Sequence, residues 1–143
     1  MHSRIVPFMA LVLAAFLIST SSGYAQTLKF QAKIDAAQEV PTNDSKGTGT
    51  ADLMYDTTSK NLTWTITFDG LTGPATVAHF HGPAEPGKTA GVAQLIGQKP
   101  TSPVKGSATL TDAQAADLMA GRWYVNVHTE ANKAGEIRGQ VTK

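Results

Sequence analysis

Hydrophobic and polar residues alternate along much of this chain. In Leu28–Ile34 (LKFQAKI) every even position is apolar and every odd one polar. Leu62–Phe68 (LTWTITF) keeps the same alternation. Successive side chains of a strand point to opposite faces, so this pattern predicts strands with one face on a core and one in water. Further strands are predicted at Thr48–Tyr55, Ala75–His81, Val92–Ile96, Lys105–Leu110, Arg122–His128 and Glu136–Val141. Turn formers separate them: Asn43-Asp44, Asp56–Asn61, Asp69-Gly70, Gly82–Gly91 and Asn132–Gly135. One stretch departs from period two. Thr111-Asp112-Ala113-Gln114 fits a capping box, good helix formers follow, and Gly121 is placed to end the helix. A helix of two to three turns is predicted near 111–120. Eight antiparallel strands and one short helix predict an all-β fold, a single Greek-key β-sandwich or flattened barrel.

The N-terminus has a different plan. Arg4 precedes an apolar run from Ile5 to Ile18, and Gly23-Tyr24-Ala25 places small residues at −3 and −1 of a cut before Gln26. Residues 1–25 therefore read as a secretory signal peptide. The alternative is a retained anchor, but the run is shorter than the roughly 20 residues of a span. The expected mature domain is 26–143, exported to a periplasmic or extracellular space, with no membrane span after cleavage.

Charge and composition narrow the functions. The chain carries 12 Lys+Arg against 11 Asp+Glu, a formal charge of +1. Loss of Arg4 would leave 11 − 11 = 0. Such a balance offers no field for nucleic acid. There is no Cys, which excludes a disulfide scaffold, a thiolate metal cluster and a Cys nucleophile. Gly82–Gly91 lacks the spacing of a phosphate-binding loop.

The histidines are the informative chemistry. His2 leaves with the leader, so His79, His81 and His128 remain. His79 and His81 are two apart on a predicted strand and face the same way, with Phe80 opposite. His128 lies on another strand, whose polar face is Tyr124, Asn126 and His128 and whose apolar face is Trp123, Val125 and Val127. Both strands break soon after their last histidine, which predicts all three near one sheet end. Three imidazoles suit copper or zinc without a thiolate or thioether. The competing role for the same residues is a polar edge pair and a histidine bonded to a carboxylate. Glu39, Glu136 and Asn126 are candidates for orienting the ligands from behind. Glu136 and Arg138, two apart, alternatively form a surface ion pair. Arg122, Arg138 and Lys88 are candidates for attracting a small anion, or are solvated surface charge. Thr63, Thr65 and Thr67 form a polar row on one strand, a candidate docking face or an ordinary solvated one.

Several segments together resemble one family. Gln38-Glu39-Val40-Pro41, Gly47-Thr48-Gly49-Thr50-Ala51, Leu71-Thr72-Gly73-Pro74, Ala78-His79-Phe80-His81-Gly82-Pro83-Ala84, Tyr124-Val125-Asn126-Val127-His128-Thr129 and Gly135-Glu136-Ile137-Arg138-Gly139-Gln140 resemble, in order, the chordin-type (CHRD) domain over nearly all of 28–142. That resemblance implies a secreted β domain. A weaker one concerns the site. His79, His81 and His128 are similar in order and placement to copper ligands of the copper,zinc superoxide dismutases. No His lies between His81 and His128, so the bridging and zinc ligands of that family have no counterpart. The implied site is a copper site without its zinc neighbour.

Three functions follow as expectations. The first is an exported CHRD domain holding one copper ion (zinc being the other fit) through His79, His81 and His128, for copper buffering or as a metal-stabilised module. The second is a mononuclear copper redox enzyme of dismutase type. The third is an interaction module without metal that binds an envelope or extracellular protein.

Overall fold

A computed structural model describes residues 23–143. The expected leader lies, but for its last three residues, outside the described residues. The chain forms β1 (Thr27–Asp35), β2 (Thr48–Asp56), β3 (Asn61–Asp69), β4 (Ala75–His81), β5 (Val92–Gln98), β6 (Val104–Thr109), α1 (Asp112–Met119), β7 (Tyr124–Thr129) and β8 (Ile137–Gln140). Alternation decides which face each strand buries. Phe30, Ala32 and Ile34 of β1, Ala51, Leu53 and Tyr55 of β2, and Leu62, Trp64 and Ile66 of β3 all point into one core. The intervening Thr63, Thr65 and Thr67 stand on the outer face. Each large apolar side chain buried this way contributes about 1.5–3 kcal/mol relative to exposure.

All ladders are antiparallel, in the order β5-β4-β7-β8-β1-β2-β3-β6. The two edges, β5 and β6, approach each other, so the sheet curls into a nearly closed barrel. Around it, β4, β5 and β6 follow in turn and β7 returns to lie beside β4. This is the Greek-key order expected from the strand count. Among the described residues the buried core lies between Phe30 and Val141.

α1 forms where the capping box predicted it. The Thr111 side chain accepts from the Gln114 N–H, and the Gln114 side chain accepts from the Thr111 N–H. Gly121, at φ 72°, closes the other end, with its N–H on the Leu118 carbonyl and the Arg122 N–H on that of Asp117. The left-handed conformation there suits glycine. Ala115 and Leu118 are buried. No helix among the described residues is long and apolar enough to cross a membrane.

Two local features depart from the sequence reading. A 3-10 turn at Ala36–Gln38 follows β1, capped by the Asp35 carboxylate on the Gln38 N–H. β7 was expected to have one wet face. Instead Tyr124, Asn126 and Thr129 are buried along with Val125 and Val127, because flanking loops fold over the outer face.

Candidate metal centre

The inner faces of β4 and β7 anchor the site. Ala78, Phe80, Val125 and Val127 have no exposed surface. Phe80 packs edge-on to Trp64 at 5.2 Å between ring centroids and lies 5.5 Å from Trp123. With these positions locked inward, His79, His81 and His128 must emerge on the opposite face. The register pairs His81 with Tyr124, His79 with Asn126 and Val77 with His128. The pairing of β4 with β5 shifts between Ala78 and His79 and again between Phe80 and His81. Such bulges add local twist and re-aim side chains. His79 lies 5.4 Å from both His81 and His128, and the latter two are 6.3 Å apart.

The histidines meet, but not at a sheet end. β4 and β7 are antiparallel, so their C-terminal ends lie at opposite ends of the barrel. The cluster lies across the outer face of the pair.

The ring nitrogens carry most of the chemical information. One nitrogen from each histidine lies within 4.8 Å of the others. Nδ1 of His79, Nε2 of His81 and Nε2 of His128 are buried and have no hydrogen-bond partner. The remaining nitrogens of two rings are held from behind. His81 Nδ1 lies 3.0 Å from the Ala90 carbonyl and His128 Nδ1 lies 2.8 Å from that of Lys133. A carbonyl oxygen only accepts, so each of these Nδ1 atoms carries the proton. In the neutral ring Nε2 then presents a bare lone pair. Burial lowers the pKa of His79, and the neighbouring His128 and His81 lower it further. Burial also lowers that of His81, although its bond to Ala90 acts the other way.

A stack supports His81. Its ring lies parallel to Tyr124 at 4.9 Å and 4°. The Arg138 guanidinium, from the strand on the other side, sits 3.6 Å from the centre of the same tyrosine ring. The Tyr124 hydroxyl donates to the Ala90 carbonyl and accepts from the Ala90 N–H, at 3.3 and 3.2 Å. Arg138 donates to the Lys88 carbonyl at 2.7 Å. Together with Gln140, which donates to the Ala84 carbonyl, His81, Tyr124 and Arg138 thus grip the loop Gly82–Gly91. No residue pattern signals these roles, because backbone carbonyls carry no residue code. Tyr124 was legible only as a polar-face position.

The expected supporting residues fall in two places. Asn126, the cross-strand partner of His79, donates to the buried carboxyl of Glu39 and to the Ile137 carbonyl. Burial pushes Glu39 up to about 7, against its bonds to Val40 and Asn126 and the charge of Arg138. Glu136 bonds no histidine. It accepts from Ser45 Oγ, from the N–H and hydroxyl of Thr72, from Thr129 Oγ and from Asn132 Nδ2. Burial would raise its carboxyl, but the bonds from Ser45, Thr129 and Thr72 outweigh it and hold the group at about 2. The surface ion pair expected between Glu136 and Arg138 does not form: both are buried, with separate partners. Arg122 pairs with Asp117 at 2.6 Å. Lys88 contributes its carbonyl rather than its charge.

Where the Nε2 atoms of His81 and His128 face the cluster as bare lone pairs, they repel unless a proton or cation lies between them. No ring donates to another among the described residues. The donor set fits a nitrogen-preferring ion such as copper or zinc. Bonds of about 2.0–2.1 Å would keep two ligand nitrogens within about 4.2 Å, so an ion here would need the three nitrogens, now within 4.8 Å of one another, to settle slightly inward.

The CHRD domain family model matches residues 30–141. No curated protein and no solved structure is significantly similar to the chain.

Proposed function

Given that the chain belongs to the CHRD domain family, a binding-module type, we propose that it is an exported metal-binding module. In this reading one copper ion is held by Nδ1 of His79 and Nε2 of His81 and His128. The observation that carries it is the convergence of three histidines, each with one buried, unpartnered ring nitrogen, two of them with Nδ1 on a backbone carbonyl. A copper ion so held supplies an electron-accepting centre with a further position for water or a loop group. The protein's part is to hold three lone pairs in place and to keep the surrounding face dry with Tyr124 and the loop over it.

The test is titration of metal-stripped residues 26–143 with Cu(II) and Zn(II) by calorimetry, with electron paramagnetic resonance on the copper form. One tight site with nitrogen hyperfine structure is expected, and His128→Ala should weaken it by at least about tenfold, the low end of losses on removing support from a metal site. Absence of binding above background, with the apo domain folded, would overturn the reading. Redox catalysis is a separate outcome: a copper-loaded sample no faster than aqueous copper at removing superoxide leaves a binding module only. Export is checked by N-terminal sequencing of the protein recovered outside the cytoplasm. Gln26 as first residue is expected, and an intact Met1 there would contradict cleavage.

A further inference from the structure

Two surface loops are attached to the histidine cluster by the same device. The Gly82–Gly91 loop hangs on His81 through the Ala90 carbonyl, and the Glu130–Glu136 turn hangs on His128 through the Lys133 carbonyl. We propose that an ion on the three histidines locks both loops, so that their order follows metal occupancy. This rests on the metal-binding reading above and adds regulation to it.

The argument is one of tautomers. A neutral imidazole carries its proton on either nitrogen. With the proton on Nε2, the Nδ1 lone pair of His81 would face the Ala90 oxygen at 3.0 Å, and that of His128 would face the Lys133 oxygen at 2.8 Å. Acceptor would face acceptor, and each contact would open. An ion on Nε2 excludes that tautomer and forces Nδ1–H, the donor that each carbonyl needs. Without an ion both tautomers are open to each ring and the loops are released for part of the time.

What else holds each loop decides how much this matters. The first is also held by Tyr124 on Ala90, by Arg138 on Lys88, by Gln140 on the Ala84 carbonyl, and by backbone bonds from the Gly82 N–H to Gly91 and the Ala84 N–H to Arg122. Its tip at Gly87, with φ 78°, has nothing within 4 Å of where a Cβ would stand, its chain neighbours aside. The second is held by turn bonds between Thr129 and Asn132 and from the Gly135 N–H to Asn132, by Asn132 on Glu136, and at its far end by the Glu136 N–H on the Val127 carbonyl and by Asn43 on the Gly135 and Glu136 carbonyls. Neither loop belongs to a ladder, so each opens locally at lower cost than the barrel. His79 differs from the other two. Its Nδ1 is buried without a partner, and its ring bonds neither loop. Coupling of this kind is reciprocal, so a partner that grips the pinned loops tightens the hold on the ion by the same factor.

The experiment is hydrogen exchange by mass spectrometry on residues 26–143, metal-stripped and with one equivalent of Cu(II). The same samples are titrated by calorimetry. Peptides covering 82–91 and 130–136 should exchange roughly tenfold more slowly when loaded, within the usual span of coupling between sites, while Thr48–Asp69 stays within about twofold. His79→Ala, saturated with Cu(II), should keep both loops protected. His81→Ala should lose protection at 82–91 and keep it at 130–136. If one Cu(II) binds and neither loop slows, or if the two variants behave alike, the coupling is wrong and the metal site stands. If no Cu(II) binds, both fall.

Discussion

Glu136 is fully buried and ionised, and no cationic side chain bonds it among the described residues. What replaces the cation is a shell of hydroxyl, amide and backbone donors from three separate segments around Ser45, Thr72 and Thr129–Asn132. A buried charge without such donors would cost several kcal/mol. Glu136→Gln keeps the shape but turns one acceptor into a donor facing other donors. A loss of about 2–3 kcal/mol in urea unfolding at neutral pH is expected, the usual cost of breaking bonds to a buried charged group. The carboxyl stands at about 2, below its ordinary 4.5. Its contribution is therefore complete above pH 4.5 and is lost as pH falls from there toward 2. In the Gln variant that acid-side loss should largely disappear; an unchanged acid limb would show that Glu136 is not its source.

At the scale of the element, the strands and α1 illustrate how much local pattern can decide. Ala75–His81 is both the predicted and the observed β4, and the capping box at Thr111 opens α1 as predicted. Thr111→Ala removes a bond to an orphan N–H of the first turn. It should lower stability by about 1 kcal/mol and leave metal binding unchanged, read as a shift in urea midpoint at constant slope. β6 shows a different constraint. Trp64 lies across Gly106, where a Cβ would stand 2.5 Å from the indole. The strand pattern alone does not reveal that, because the glycine's partner lies on β3. The 3-10 turn at Ala36–Gln38 also escaped notice, being a single turn with its cap on the last residue of a strand.

For the whole molecule, the outer face of β7 and β8 is a second, polar interior. Loop Gly82–Gly91 and the segment after β1 cover it, and Glu39, Asn126, Tyr124 and Arg138 are enclosed there. Enclosure raises the Glu39 carboxyl to about 7 from 4.5. A group raised in the folded state favours folding fully below its unfolded value and loses that advantage as pH rises through its folded one. His79 and His81, lowered by burial, work in the opposite sense below their ordinary 6.5. The Glu39 contribution is therefore read by difference. The stability of Glu39→Gln relative to the parent chain should rise steadily between about pH 4.5 and 7 and level off above. A flat difference across that window would show that the carboxyl is not held neutral.

The amino-acid sequence by itself determined the strands, the helix and its cap, the family, and the identity of the three histidines. These depend on neighbours a few residues away or on residue type, and both are written in the chain. Only the tertiary structure decided that the histidines meet across the middle of a face rather than at a sheet end, since that follows from the antiparallel pairing of β4 with β7. It alone decided which ring nitrogen is free, because the partners are the carbonyls of Ala90 and Lys133, which any residue would supply. The fates of Glu136 and Arg138 were settled in the same way. They are two apart on the chain but sit in different hydrogen-bond shells, and each shell is assembled from segments far away in sequence.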